Sequence, residues 1–263
     1  MSTVAVVTGA ARGFGLEIAR RLVDRGHEVI LTDVLADEVR AAADGLGPRA
    51  HARVADAGDA AEHRSVAYAA LELGRLAVWV NNAGVAYTAK AWEHPAEHVE
   101  RTVRVNLLGC MHGSRAAVGA MREGGHILNI ASLSAFGPVP GLAVYAATKA
   151  GVLSFTTSLQ GDLQHAGRPI RVHALCPDAA DTRMVRDVAH EEDAALLFSG
   201  GGLLSAGEVA DAAMELLDGR RIVRTLPAWR GALARTAAPV PTAGLQVLRL
   251  LRAVGDRRRP SAR

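Results

Sequence analysis

The sequence predicts an α/β fold, a doubly wound parallel sheet of about seven strands with helices on both faces. Three observations predict it. Short β-branched and apolar runs alternate along the chain with longer segments whose apolar residues recur every three or four positions. The short runs are apolar almost throughout, as in strands covered on both faces, rather than at every second residue. The first run ends in a glycine-rich loop that opens directly into a helical pattern.

Residues 4–7, 29–31, 52–55, 78–80, 126–130 and 170–175 read as strands, and 222–226 as a seventh. Segments such as 16–22 and 99–111 carry the helical spacing between them. The strict alternation implies right-handed crossovers and one domain, residues 1–227, with 183–205 as a mobile lid hinged on Gly200, Gly201 and Gly202. Residues 228–263 form a basic amphipathic C-terminal extension, set off by Pro239 and Pro241.

Composition narrows the function classes. With 49% hydrophobic and 22% charged residues the chain reads as a soluble globular protein. No apolar run approaches the ~18 residues of a membrane span, and the first run lacks the length and basic flank of a signal sequence. Two cysteines, Cys110 and Cys176, point to a reducing, cytoplasmic setting and read as small buried hydrophobes. The net charge of +3 hides an asymmetry: residues 220–263 hold 11 arginines and one acid, a local +10, and the remainder carries −7. The basic balance therefore belongs to the tail and argues against a nucleic-acid surface. Lys90 and Lys149 are the only lysines among 30 basic residues, and a lysine amine titrates where arginine does not.

The loop Thr8-Gly9-Ala10-Ala11-Arg12-Gly13-Phe14-Gly15 follows strand 1 and opens a helix. Glycines there let the backbone approach a pyrophosphate, and the helix start offers free N–H groups. Strand 2 ends at Asp33, about twenty residues on, where a carboxylate accepts from the adenosine ribose hydroxyls and repels a 2′-phosphate. That favours NAD over NADP; Arg12 pulls the other way but is free to turn to solvent. Asp56, after strand 3, reads equally as an adenine acceptor and as a turn or cap aspartate.

Strand 4 leads into Asn81-Asn82-Ala83-Gly84, and strand 5 ends at Ser132. Tyr145 and Lys149 are four apart and share one helix face. A phenol near pKa 10 is a poor base at neutral pH, but a neighbouring ammonium, with the positive charge of oxidised nicotinamide, stabilises phenolate. Ser132 then donates to the substrate oxygen, and Asn106 anchors a water that links Lys149 to solvent. Leu133, Phe136, Val139, Pro140 and Leu142 flank these positions and predict a largely apolar substrate.

Together these residues resemble the short-chain dehydrogenase/reductase family, in order and approximate spacing over residues 4–226. The resemblance implies a Rossmann-like sheet and hydride transfer between NAD and a secondary alcohol or ketone. It implies proton transfer by Tyr145, a Lys149 that lowers its pKa and binds the nicotinamide ribose, a Ser132 that holds the substrate oxygen, and an Asn106 in the proton relay. The dinucleotide would lie against Gly9, Arg12, Gly13, Phe14, Gly15, Asp33, Val34, Asp56, Ala57, Asn82, Ala83, Gly84, Tyr145, Lys149, Pro177 and Thr182, with no metal. A homo-oligomer, dimer or tetramer, is also implied. A non-catalytic dinucleotide-binding scaffold and an NAD-dependent epimerase or dehydratase are the rival readings; the complete Asn106–Ser132–Tyr145–Lys149 set speaks against the scaffold.

Three departures from the family pattern stand out. Pro177 is followed by Asp178 where the family has Pro-Gly, which sets a side chain and a negative charge beside the nicotinamide. Ala77 replaces an aspartate before strand 4. The family's glycine-rich end gives way to the basic tail, in which Val247, Leu248, Leu251 and Val254 recur at helical spacing with Arg249 and Arg252 opposite. This stripe reads as a helix packed on its own or a partner subunit, or as one lying peripherally on the inner face of an anionic membrane. The run His190-Glu191-Glu192-Asp193 reads as a solvated helix face rather than a metal cluster.

Overall fold

The computed structural model describes residues 2–237 and 241–260. Seven parallel strands form one sheet in the order β3-β2-β1-β4-β5-β6-β7: β1 (Thr3–Thr8), β2 (Glu28–Asp33), β3 (Ala50–Val54), β4 (Arg75–Asn81), β5 (Gly125–Ile130), β6 (Ile170–Pro177) and β7 (Val223–Leu226). This is the doubly wound, Rossmann-like architecture that the sequence predicts. The apolar centres of the strands stand where the sequence places them. Most ends extend one to three residues further, because ladder hydrogen bonds continue past the last apolar side chain; Ala55 and Ile222 fall just outside.

Alternation along β1 shows how the two faces are filled. Ala5 and Val7 point to one core with Ile18 and Leu22 of α1 (Gly13–Asp24) and Val209 and Met214 of α8 (Ala206–Asp218). Val4 and Val6 point to the other core with Trp79, Ala117 of α5 (Gly109–Ala120) and Leu163 of α6 (Ala143–His165). The remaining helices over the sheet are α2 (Ala36–Leu46) and α3 (Ala60–Leu73). The helical segment predicted at 99–111 is longer and is interrupted: α4 (Ala96–Thr102) passes through a wider π turn, Val103–Leu108, before α5 begins.

After β6 the chain forms α7 (Arg183–Val188) and a 3₁₀ segment (Glu192–Phe198), and after β7 it forms α9 (Ala228–Ala237) and α10 (Pro241–Arg258). The acidic run is solvated at His190 and Glu192 but also makes contacts within the chain. Glu191 accepts from the Thr88 hydroxyl, and Glu192 and Asp193 both pair with Arg252 of α10. The apolar stripe of α10 turns inward at Leu248 and Leu251, while Leu250 is 72% exposed. Pro239 and the side chain of Val247 lie outside the described residues. No described helix is long and apolar enough to cross a membrane.

His126 and His173 stack between β5 and β6, ring centroids 5.4 Å apart. The Arg221 carbonyl fixes His173 Nδ1 as a donor at 2.8 Å, so His173 Nε2 accepts from His126 Nδ1 at 3.1 Å, and both rings are neutral. Burial pushes His126 down to about 4 from 6.5, and His173 down as well. Unfolded imidazoles bind protons in that window and the folded ones do not. Their contribution is complete above pH 6.5 and is lost as the pH falls toward about 4. The melting temperature should fall across this window, and less so in His126→Phe. Parallel profiles for the two proteins would show that the pair carries none of the acid sensitivity.

Candidate functional site

In an open parallel sheet, a crevice opens at the carboxyl ends of neighbouring strands whose connections leave toward opposite faces. Here those strands are β1 and β4, and the glycine loop and the Asn82 turn meet across the crevice. Asn82 Nδ2 donates to the carbonyls of Thr8 (3.0 Å) and Gly9 (2.9 Å), and the Thr8 hydroxyl accepts from the N–H groups of Asn82 and Ala83, both at 3.1 Å. Gly9 sits at φ +63°, and a Cβ there would lie 2.7 Å from Ala83 Cα. A Cβ on Gly15 would stand 2.6 Å from Asn82 Nδ2, so Gly15 serves close packing behind the loop. The loop backbone is thereby left open to the crevice, a cradle that fits a dinucleotide pyrophosphate.

Asp33 closes the other side of the loop. Its carboxylate accepts from Ala11 N and Leu35 N, each at 3.2 Å, and faces the cavity. Arg12 also borders the cavity, with its guanidinium 3.0 Å from Glu38. Asp56 accepts from Gly58 N at 2.8 Å and pairs with Arg104 at 2.7 Å, the turn role the sequence left open, and it still lines the cavity.

At the opposite end, Tyr145 and Lys149 project from α6 toward Ser132, at the end of β5. A network of buried amides and hydroxyls fixes that spacing. Asn81 accepts from Trp79 Nε1 (2.8 Å) and donates to Ser114 Oγ (3.0 Å) and Asn129 Oδ1 (2.8 Å), and Asn129 donates to Thr156 of α6 (2.9 Å). Lys149 is buried with its Nζ 2.8 Å from the Ile130 carbonyl and 5.5 Å from the Tyr145 ring centre. Ile130 is its only hydrogen-bond partner among the described residues, so the amine keeps donors for a group in the cavity. Burial pushes the Tyr145 phenol up to about 12, against a hydrogen bond with Ser132, and pushes Lys149 down to about 8. Desolvation is the larger effect at the phenol and outweighs the Ser132 hydrogen bond.

The Asn106 side chain is engaged within the chain. Its Oδ1 accepts from Val85 N (2.8 Å), and its Nδ2 donates to Val85 O (2.9 Å) and Thr148 Oγ1 (3.3 Å). It clamps the loop after β4 from within the π turn and stands behind the cavity wall.

One cavity of about 790 Å³ joins the two ends. Gly9, Arg12, Gly13, Phe14, Asp33, Val34, Asp56 and Ala57 line it at one end, and Asn82, Ala83, Gly84, Ser132, Tyr145, Lys149, Pro177 and Thr182 at the other. Thr182 reaches across to the glycine loop, its Cγ2 lying 3.9 Å from where a Gly13 Cβ would stand. Leu133, Val139 and Leu142 line the apolar end, whereas Phe136 and Pro140 face a neighbouring depression with Ala143 and Ala146. Sequence reasoning missed Tyr87, Leu196, Arg230, Leu248 and Leu251, which also line the cavity. Their own neighbourhoods carry no signal beyond the amphipathic stripe of the tail.

Residues 3–193 match the family model described as short chain dehydrogenase. The 1-deoxy-11-beta-hydroxypentalenate dehydrogenase of Streptomyces avermitilis is 36% identical over 228 residues, 83% of this chain and 82% of that protein. A short-chain dehydrogenase/reductase of Burkholderia phymatum in complex with NAD superposes with a TM-score of 0.81 at 29% identity, over 89% of this chain and 92% of the other. An actinorhodin polyketide ketoreductase variant with NADPH gives 0.79 at 30% identity, over 88% and 97%.

Arg230 lies beyond the family-model match and answers the Asp178 departure. Its Nε is 3.0 Å from Asp178 Oδ2, with side-chain exposures of 17% and 16%. Burial pushes the Asp178 carboxyl up and Arg230 pulls it back. The negative charge next to Pro177 is thus matched within the chain. Arg230→Met should cost about 2 kcal/mol of stability by leaving a partly buried charge unpaired, and adding Asp178→Asn should recover much of it. A urea-denaturation double-mutant cycle reads this coupling; strictly additive costs would mean the pair contributes nothing.

Proposed function

We propose, for a chain that belongs to the short-chain dehydrogenase/reductase family, that it interconverts a largely apolar secondary alcohol and its ketone using NAD. The observation that carries this reading is a single cavity that holds Tyr145, Ser132 and Lys149 at one end and the glycine loop with Asp33 at the other. Bound NAD supplies the hydride acceptor and, when oxidised, a positive charge. Ser132 donates a hydrogen bond to the substrate oxygen and orients it toward Tyr145. Tyr145 gives its proton to the forming alkoxide in reduction and takes it back in oxidation. Its phenol, held up at about 12 by burial, keeps that proton at neutral pH and is ready as a donor. In oxidation the same group must lose the proton, which requires added positive charge beside it. Lys149, held toward neutral at about 8, contributes part of that charge and binds the nicotinamide ribose. Asn106 acts through Val85, setting the loop that borders Lys149.

NAD is favoured by the carboxylate of Asp33 at the ribose position and by the engagement of Arg12 with Glu38. Ala11 and Leu35 hold Asp33, and Glu38 holds Arg12, in the positions this reading gives them.

Tyr145→Phe should lower kcat by about 10²–10⁴-fold while NAD affinity, read by fluorescence titration, stays within about threefold. Activity within a few-fold of wild type would remove Tyr145 from the proton transfer.

Wild-type kcat/KM should be about tenfold or more higher with NAD than with NADP, and Asp33→Ala should narrow the ratio by removing the charge that faces a 2′-phosphate. A wild-type preference for NADP would assign the decision to Arg12.

A further inference from the structure

The substrate end of the cavity is closed by helices that lie beyond the residues matched by the family model. α9 brings Leu233 to this cavity, and α10 brings Leu248 and Leu251. α10 is held there by contacts with the 3₁₀ segment and its flanks. Arg252 lies 3.3 Å from both Glu192 and Asp193, Arg259 donates to the His190 carbonyl at 2.8 Å, and Arg258 donates to the Gly200 carbonyl. Gly255 rests directly on the Ala195 carbonyl, where any Cβ would collide. Helix and segment therefore meet backbone to backbone, which fixes the height of Leu248 and Leu251 over the cavity. On the outer side of the same helix, Leu250 is 72% exposed.

We propose that Leu248 and Leu251 are specificity-determining residues: they form a wall, supplied by the same chain, that selects a bulky, apolar secondary alcohol or ketone over a small one. The proposal rests on the redox reading above for the chemistry at Tyr145. A small alcohol held by Tyr145 and Ser132 leaves the leucine wall unused. A bulky one buries apolar surface against it, and a side chain's worth of such contact is enough for discrimination of about tenfold or more.

The test uses the full chain, with propan-2-ol and the bicyclic alcohol borneol as probes. The ratio of kcat/KM for borneol to that for propan-2-ol should fall about tenfold in Leu248→Ala/Leu251→Ala. Leu251→Met should keep most of the wild-type ratio, and Leu250→Ala, on the outer face, should not change it. A ratio unchanged in the double variant would overturn the wall. If the double variant fails to melt cooperatively, Leu251→Ala alone carries the comparison. A binding measurement separates this proposal from the redox reading: the Kd for the neutral apolar dye Nile red should rise about tenfold in the double variant. Failure of wild type to oxidise either alcohol with NAD or NADP would count against the redox reading, and the dye would still judge the wall. An unchanged Kd for the dye would overturn it.

Discussion

The geometry of the whole site depends on how the ends of β1 and β4 are tied together. Where two parallel strands stop side by side and their helices leave toward opposite faces, the last peptide groups lose their ladder partners. Asn82 and the Thr8 hydroxyl supply replacements from within the crevice. Each such group left unsatisfied would cost about 1–3 kcal/mol. The tie also draws the backbones close enough that Gly9 and Gly15 have no room for a Cβ. From this point the buried network runs through Asn81 to Asn129 of β5 and Thr156 of α6. The tie at Asn82 and the buried network at Asn81 are adjacent along the chain, and together they connect the glycine loop to the helix that carries Tyr145 and Lys149. The relative position of the two cavity ends is a property of the core, and no mobile loop has to set it.

The same burial governs the chemistry. A phenol and an amine share one end of the cavity, and burial pushes each toward its neutral form, to about 12 and about 8. The Ser132 hydrogen bond does not offset desolvation of the phenol. In our reading this makes the site asymmetric: the proton rests on Tyr145 until positive charge arrives beside it. On that reading, an oxidised dinucleotide held in the cavity would supply the positive charge that favours loss of the Tyr145 proton. The Ile130 carbonyl uses one of the three Lys149 donors and leaves the others for whatever enters the cavity.

Much of this was legible in the sequence, and the limits have physical causes. Strand centres were readable because a doubly covered strand must be apolar throughout, and the site motifs because each lies at the end of such a strand. Strand ends were less so: Ala50 and His51 open the β3 ladder ahead of the run that the sequence marks at 52–55. The π turn at Val103–Leu108 has no residue that announces it, since Asn106 acquires its meaning from Val85, which a different segment delivers. Phe136 and Pro140 were placed beside the substrate because they neighbour Ser132 in sequence, yet they face the adjacent depression. Asp178 was correctly singled out as unusual. Its answer, Arg230, was invisible because only the pairing of β6 with β7 brings α9 to that loop.

The lopsided charge of the chain can be followed through the same contacts. A segment made of short helical turns exposes carbonyls that no ladder or long helix satisfies. Around residues 190–200 these carbonyls, together with the acids of the run, face α10. Arginine suits such a surface, since its guanidinium carries several fixed donors that serve a carbonyl as readily as a carboxylate. Arg252 takes the carboxylates, Arg258 and Arg259 take the carbonyls of Gly200 and His190, and Arg230 takes Asp178. The basic extension and the acidic body are therefore complementary surfaces of one fold. The apolar face of α10 is held against the cavity by polar contacts at the lid rather than by a deep core of its own. Such a closure is specific in position yet modest in buried apolar area, as suits a wall that must admit a substrate and release it.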